Sequence, residues 1–363
     1  MEGEIVYLFV YDAGAKFTEE QLKGLLSKPE DFSKYEYTQP TPEEIVSISV
    51  PFVFNLKDET FTNSKKENLK FKVQCSIFTT GSFSIRVRHH FESADADFIK
   101  FMAFDNAVYE FAEKTSAKAR LKVEGSLSKL AAIRPSDQKE RYNFYYIKGD
   151  QAEFVRKYQS LITGLMIDEQ DPASLEANYS TDVLKRKISY NANDVMYVGW
   201  EGAVMISPEK SYEYELLLAE IANMQLLELR IHHNAISKKI ADTDLLMAQA
   251  FTPNRFSKGV DFGKLNISLG ELYGNTKDII TAVNDTIYGF GEWYLVKLYG
   301  LFNDAFQIDE WRAYLDSDLE TVEKRRAFVS ELISVSRARF LEIIVIVLIL
   351  IEILLSLVSF FRI

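Results

Sequence analysis

Short alternations of hydrophobic and polar residues fill the first part of the chain, as is typical of β-strands. The strand-like runs are Ile5–Val10, Glu44–Asn55, Leu69–Phe78, Phe83–Phe91, Arg141–Ile147, Val195–Trp200 and Ala203–Ile206. Turn residues 79–82 and Glu201-Gly202 predict two hairpins. Helical patterns lie between the strands at Thr18-Glu19-Glu20-Gln21, which is a capping box, at Asp95–Leu130 and at Gln151–Leu165 after Asp150. Residues 1–207 are therefore predicted to form an α+β domain with a mainly antiparallel sheet.

The pattern becomes helical after Ser207-Pro208-Glu209, where serine is a good N-cap and proline suits the first helical position. Helices are predicted to about Ala250, over Leu265–Asn303 with breaks or tight packing at its glycines, and from about Ile308 onward. The last helix has an apolar stripe of near-heptad spacing, as in a coiled coil, and no breaker before the C-terminus. Residues 208–342 are predicted to form a helical stalk or bundle domain, with a final helix of more than fifty residues.

Residues 343–361 are apolar except for Glu352, Ser356 and Ser359. A helix of that length rises about 28 Å, close to the thickness of the hydrocarbon core of a bilayer. We therefore predict a C-terminal transmembrane helix with the lipid bilayer as partner. Five basic residues lie shortly before this segment and one follows it, and the N-terminus has no signal peptide. The prediction is a single-pass, tail-anchored membrane protein with its body in the cytoplasm or an equivalent non-secreted compartment.

Four polar side chains share one face of this terminal helix: Glu342, Glu352, Ser356 and Ser359. A carboxylate within a bilayer is costly, and a seam between helices would satisfy it. These residues are predicted to form an oligomer or membrane seam. Two alternatives are that Glu352 binds a cation or a proton, or that it is protonated and tolerated singly. Together with the coiled-coil stripe, the seam predicts a homo-oligomer.

The charge and the residue types of the chain argue against several classes of function. The net charge of −11 argues against nucleic acid as a main partner, because phosphate binding needs an excess of Lys and Arg. Lys114, Lys118 and Lys122 form a basic stripe that suits RNA or anionic lipid, or is a solvated helix face. The four histidines occur as adjacent pairs, which supply at most one good ligand each to a metal ion. Without a catalytic motif, we predict no enzyme activity, no cofactor and no metal.

Three segments resemble the required-for-meiotic-nuclear-division family, also called domain of unknown function 155. They are YVGWEGAVMI, LLLAEIANMQLLELRIHHNAISKKIA and RFLEIIVIVLILIEILLSL, within residues 195–357. The family-motif positions are Trp200, Glu201, Gly202, Glu228 and Arg230, and we expect Arg230 to form an ion pair within the helical bundle or against the sheet. The resemblance implies a membrane-anchored, self-associating protein without established enzymatic activity. Its mitochondrial members are linked to organelle translation, but this chain has no transit peptide, which favours a prokaryotic or cytosol-facing relative.

The leading functional prediction is a tail-anchored membrane scaffold that self-associates and holds a partner. The resemblance suggests translation machinery, and so a protein or ribosome partner. The alternative is an oligomeric cation channel or transporter whose layout is like that of CorA-type channels, an analogy of architecture alone.

Overall fold

A computed structural model describes residues 1–26, 33–34, 51–63, 66–92, 94–208, 212–251, 261–288 and 292–360. The chain divides into two compact units. The first unit contains Met1–Ile231 and Thr281–Trp311, and the second contains His232–Ile280 and Arg312–Ile363.

The strands are β1 (Glu2–Asp12), β2 (Ser33–Lys34), β3 (Phe52–Asn55), β4 (Glu59–Thr62), β5 (Asn68–Ile77), β6 (Ser82–Phe91), β7 (Glu140–Lys148), β8 (Lys187–Ile188), β9 (Val195–Val198) and β10 (Gly202–Ser207). The helices are α1 (Glu19–Leu26), α2 (Ala96–Phe104), α3 (Asn106–Leu127), α4 (Gln151–Ile167), α5 (Ala177–Val183), α6 (Glu213–Phe251), α7 (Phe262–Tyr288), α8 (Trp293–Phe306) and α9 (Ile308–Phe360).

One sheet has the strand order β2-β3-β5-β6-β1-β7-β10-β9-β8, and β4 pairs with β5. Among the described strands the pairs are antiparallel, except that β7 and β10 run parallel. The predicted α+β class and mainly antiparallel sheet are confirmed. The β5–β6 hairpin turns at Gly81, which has a φ of +106°. A Cβ atom at this position would lie 2.0 Å from the Ala15 carbonyl oxygen, so the turn requires glycine.

Both faces of the sheet are covered in the first unit. On one face, Tyr7 and Phe9 of β1 belong to a core cluster that also contains Met102 of α2, Val123 of α3 and Leu165 of α4. On the other face, α6 and α8 contact the sheet through buried charges and aromatic rings. This explains why β1 is hydrophobic at every position from residue 5 to residue 11 and does not alternate with polar residues.

Buried ion pairs fix α6 across the sheet. Arg86 of β6 donates two hydrogen bonds to the carboxylate of Glu220, and both side chains are fully buried. Arg88 pairs with Glu4 at 2.9 Å and with Glu213 at 3.0 Å. Removing one member of a buried pair leaves an uncompensated charge at a cost of about 3–5 kcal/mol. These pairs therefore hold the first two turns of α6 against the sheet, and this fixes where the following residues of α6 lie.

Several local predictions have clear outcomes. The capping box is confirmed, because Thr18 and Gln21 exchange side-chain hydrogen bonds with each other's backbone amides at 2.8 and 3.2 Å. The single helix predicted over Asp95–Leu130 is wrong: Asp105 separates α2 from α3 and caps α3 by accepting from the amide of Ala107 at 2.8 Å. The N-cap predicted at Ser207 is also wrong, because Ser207 ends β10 and α6 begins at Glu213.

Other predicted features fall partly outside the described residues. Of the predicted strand Glu44–Asn55, the structure describes residues 51–55. Phe52–Asn55 forms β3. Most of the predicted loop 251–263 and the glycines at 289 and 291 lie outside the description. Gly270 and Gly274 are inside α7 and Gly300 is inside α8, where the helices continue unbroken.

The final helix α9 has 53 residues, as long as predicted. The transmembrane helix predicted over residues 343–361 is wrong: none of the helices in the described part of the chain combines the length and the apolar character that crossing a membrane requires. Glu352 lies within this segment and Glu342 directly precedes it, and a charged side chain at the centre of a membrane-spanning helix costs about 2.5–3.5 kcal/mol. The predicted single-pass, tail-anchored localisation with a cytoplasmic body is therefore not supported.

Candidate functional site

A cavity of about 240 Å³ opens in the first unit, where the start of β7, the β9–β10 turn, α6 and α8 meet. We name it the Trp200 pocket. It is lined by charged, aromatic and polar side chains: Lys139, Glu140, Arg141, Trp200, Glu201, Asn223, Leu226, Arg230 and Phe306.

The β9–β10 turn is held against its neighbours by backbone contacts. The amide of Glu201 donates to the carbonyl of Met166 at 3.1 Å, and the carbonyl of Glu201 accepts from the amide of Asn143 at 3.1 Å. A Cβ atom on Gly202 would lie 2.5 Å from the Leu165 carbonyl oxygen. Glycine is thus needed for this close approach, which places Trp200 and Glu201 at the pocket.

Arg230 of α6 is held in the pocket by one ion pair and two aromatic rings. Its Nη1 donates to both carboxylate oxygens of Glu140, at 2.7 and 2.9 Å. Its guanidinium carbon lies 5.6 Å from the ring centre of Trp200 and 5.3 Å from that of Trp311. Such cation–π contacts contribute about 0.5–2 kcal/mol each. Of the two expected settings for the Arg230 ion pair, the one against the sheet is present, because Glu140 begins β7.

Arg141 and Glu201 face each other at the rim. Arg141 Nη2 lies 3.6 Å from Glu201 Oε2 and 3.8 Å from Asp168 Oδ2, which is too long for hydrogen bonds. The Arg141 guanidinium also lies 5.1 Å from the ring centre of Tyr109. Burial raises the pKa of Glu201, and the positive charge of Arg141 opposes this rise. Burial likewise raises the pKa of Glu140 against the effect of Arg230.

Asn223 contributes a buried amide to the pocket. Its side chain is 1% exposed, and Nδ2 donates to the carbonyl of Ala219 at 2.7 Å. Over the described ranges of the chain, the rest of this amide makes no hydrogen bond with protein. Buried polar groups normally have partners, so the amide is available to a group that enters the cavity. Trp200 is 36% exposed beside it and supplies an accessible aromatic surface.

The structure brings together three of the family-motif positions predicted from the sequence, since Trp200, Glu201 and Arg230 line the pocket and Gly202 shapes its turn. Glu228 lies elsewhere on α6: it accepts a hydrogen bond from Ser82 Oγ, and burial raises its pKa to about 7. The remaining lining residues were not predicted from the sequence. A signal was present at Lys139-Glu140-Arg141, three consecutive charges at the start of a buried strand.

Two lysines of the predicted basic stripe form ion pairs with glutamates. Lys114 pairs with Glu110 at 2.8 Å and Lys118 pairs with Glu59 at 2.6 Å, while Lys122 lies one turn further along α3. Binding of RNA or anionic lipid by this stripe stays a prediction.

The predicted seam residues and the histidines are not among the side chains that line the Trp200 pocket. Glu342 and Glu352 are exposed on α9, and the side chains of Ser356 and Ser359 are outside the description. His89 contacts the Lys70 carbonyl, His232 contacts Thr276 and His233 contacts Asp318. Within the part of the chain that the structure describes, no group of three or more His, Cys, Asp or Glu side chains could hold a metal ion.

The fold and this pocket define the chain as an α+β protein with a pocket lined by polar and aromatic side chains. It belongs to the family described as uncharacterized protein MJ0711, N-terminal domain, which residues 2–213 match. It is similar to uncharacterized protein MJ0711 of Methanocaldococcus jannaschii, with 24% identity over 230 residues. The alignment covers 60% of this chain and 66% of that relative, so the chain spans just under two thirds of the relative's length. No solved structure matches the chain.

The family match ends at residue 213, so it includes the β7 and β9–β10 sides of the pocket but not the residues of α6 and α8. The resemblance to the required-for-meiotic-nuclear-division family stays a prediction.

Proposed function

We propose that this protein is a self-associating scaffold, without a reaction of its own, that holds a partner at the Trp200 pocket. One observation carries the proposal: Trp200, Glu201 and Arg230, from two separate segments of the sequence, meet at one pocket. Partly exposed tryptophan beside a fixed arginine is the composition that dominates binding energy at protein interfaces.

The fixed geometry of Arg230 supports binding. Its ion pair with Glu140 and its two indole neighbours hold the guanidinium in place before any partner arrives. A group held in its bound position loses little entropy on association. The pocket is therefore suited to recognise a partner with good orientational specificity.

Self-association is supported by the end of α9. Over Ile343–Leu355 every residue except Glu352 is apolar, and the exposed fraction of these apolar side chains runs from 38% at Ile344 to 66% at Leu355. Contiguous apolar surface of this kind marks interaction sites. We propose that further copies of α9 cover it, with Glu342 and Glu352 on the shared face.

The resemblance noted from the sequence makes translation machinery, including the ribosome, our candidate partner. The channel of CorA-like layout stays an alternative prediction that no observation on the described residues favours.

The test is a comparison of partners. The tagged full-length chain is purified from its native cells as wild type, Trp200→Ala and Tyr179→Ala, and co-purifying proteins are quantified by mass spectrometry. Tyr179 is a matched control, because it is an aromatic residue that is 50% exposed and lies on α5 outside the pocket. We expect a defined complex with wild type and Tyr179→Ala that is depleted at least tenfold with Trp200→Ala. Equal recovery with all three proteins would contradict the proposal.

A further inference from the structure

We propose that the Trp200 pocket recognises a single carboxylate group joined to an apolar or aromatic body. This inference rests on the proposed function, in that it names the chemistry of the group that the pocket receives. The carboxylate could belong to a small free acid or to the C-terminus or an acidic side chain of a partner protein.

The acidic neighbours of the pocket restrict the charge of the group that it can receive. Lys139 pairs with Glu113 and Arg230 pairs with Glu140, and Arg141 lies 3.6 Å from Glu201 and 3.8 Å from Asp168. A singly charged carboxylate can contact the remaining guanidinium N–H groups, whereas a phosphate dianion would bring two negative charges beside these carboxylates, which is unfavourable at low local dielectric.

The two guanidinium groups of the pocket have more N–H donors than they use in hydrogen bonds with the described part of the protein. Arg230 uses Nη1 for Glu140, and its Nε and Nη2 have no hydrogen-bond partner among the residues described. The guanidinium of Arg141 stands 3.6 Å and 3.8 Å from its nearest carboxylates. A guanidinium fork is the donor geometry that best suits a carboxylate, and the Asn223 amide adds a polar group at the buried end.

The remaining wall is apolar. Trp200, Leu226 and Phe306 line the cavity, and the rings of Trp200 and Phe306 are 6.1 Å apart in an edge-on arrangement. A ligand with a flat or aliphatic body would bury its surface against this wall while its carboxylate faces the guanidinium groups. This combination of apolar wall and few convergent polar groups is typical of ligand sites.

The volume limits the size of the group. A cavity of about 240 Å³ lies below the range of about 300–1,000 Å³ that drug-sized ligands and cofactors occupy. The enclosed space therefore fits one amino-acid side chain or terminal residue, or an acid of similar size, and would hold only part of a nucleotide.

The experiment is a titration of the full-length protein with sodium phenylacetate, followed by isothermal calorimetry and by the fluorescence of the tryptophans. The neutral analogue phenylacetamide and inorganic phosphate are titrated in parallel. We expect phenylacetate to bind with a Kd below about 10 mM, and phenylacetamide and phosphate to bind at least tenfold more weakly. No detectable binding of phenylacetate, or equal binding of phenylacetamide, would overturn the inference.

Two variants locate the binding. Arg141→Gln removes a half-exposed cation from the rim, and Lys185→Gln removes an exposed cation, paired with Asp182, that lies outside the pocket. We expect at least a tenfold loss of phenylacetate affinity for Arg141→Gln and no change for Lys185→Gln, with unchanged circular dichroism in both. Equal affinity of the two variants would place the ligand elsewhere and overturn the inference.

A peptide that ends in phenylalanine distinguishes the two sources of the carboxylate. It is titrated into the full-length protein once with a free C-terminus and once with an amidated C-terminus. If the free peptide binds at least tenfold more tightly than phenylacetate and the amide does not, a protein terminus is the ligand. If phenylacetate binds as well as the free peptide, a small free acid is the ligand. If phenylacetate binds but no complex depends on Trp200, the proposed function alone is contradicted. If a complex depends on Trp200 but no carboxylate binds, this inference alone is contradicted.

Discussion

At the scale of single residues, Arg230 is the side chain on which the pocket depends. Its guanidinium contacts Glu140 from β7, Trp200 from the β9–β10 turn and Trp311 from the start of α9. The Glu140 side chain is only 11% exposed, so its negative charge relies on this partner. Arginine is favoured here because it forms the ion pair and contacts both indole faces at once.

We expect Arg230→Ala to lower the free energy of unfolding by about 1–3 kcal/mol, since it leaves a buried carboxylate without its counter-charge. The loss should be larger at about pH 8 than at about pH 5. Burial raises the pKa of Glu140, and without Arg230 the folded state would hold its proton to a higher pH than the unfolded state does, so stability would fall as the pH rises. Urea unfolding at the two pH values measures this. Arg156→Ala, at an exposed position, is the control, and a pH-independent loss would contradict the explanation.

Glu215 is a second buried carboxyl, on α6. Its side chain approaches the Tyr294 hydroxyl at 3.4 Å. Burial, with smaller effects of Asp194 and Glu292, raises its pKa from 4.5 to about 7. Between these two values the folded state holds a proton that the unfolded state has released, so ionisation of Glu215 lowers stability as the pH rises.

Glu215→Gln should therefore be more stable than wild type at about pH 8, by up to about 3 kcal/mol, and close to wild type at about pH 5. Urea unfolding of both proteins at the two pH values gives the difference. Glu153→Gln, which changes an exposed carboxyl on α4, serves as the matched control. A Glu215→Gln protein less stable than wild type at both pH values would show that the carboxylate is needed structurally.

At the scale of secondary-structure elements, the sequence predicted features that depend on neighbouring residues. The Thr18–Gln21 capping box and the β5–β6 hairpin follow from residues a few positions apart, and both are present. The break between α2 and α3 was missed because apolar residues continue on both sides of Asp105 with helical spacing. A capping aspartate and a solvent-facing aspartate within a helix look alike in sequence.

Asp105→Ala should cost about 0.5–2 kcal/mol, because α3 would lose the side chain that accepts from its first amide groups. Thermal and urea unfolding followed by circular dichroism measure the change. Asp137→Ala, at an exposed position outside any helix or strand, should change stability by less than about 0.5 kcal/mol. Equal effects of the two substitutions would mean that the cap has no role.

The candidate site was predictable only in part. Trp200, Glu201 and Arg230 were found because they belong to recognisable motifs. Lys139, Arg141 and Phe306 were not, because their place depends on the parallel pairing of β7 with β10 and on the contact between α8 and Tyr142 of β7. Such contacts between distant segments leave no periodic pattern in the sequence. The same holds for α9, whose length was predicted but whose apolar end was assigned to a bilayer on local composition alone.

At the scale of the whole molecule, the exposed apolar end of α9 predicts self-association. The expected particle has a mass that is a multiple of 41.7 kDa. Leu348→Glu should reduce this mass, because it places a charge within the apolar run, whereas Leu245→Glu should leave it unchanged. The two leucines are 59% and 60% exposed, so they differ in location and not in accessibility.

Light scattering in a mild non-ionic detergent, corrected for bound detergent, measures the mass. A wild-type protein at 41.7 kDa, or an unchanged oligomer in Leu348→Glu, would contradict the role given to α9.

The central claim is that a partner occupies the Trp200 pocket, and cross-linking from that position tests it most directly. A photoreactive phenylalanine derivative replaces Trp200 in one full-length protein and Tyr179 in another, and both are illuminated in native cells. The account predicts a defined cross-linked partner from position 200 that is absent from position 179. Identical products from both positions, or none from position 200, would contradict it.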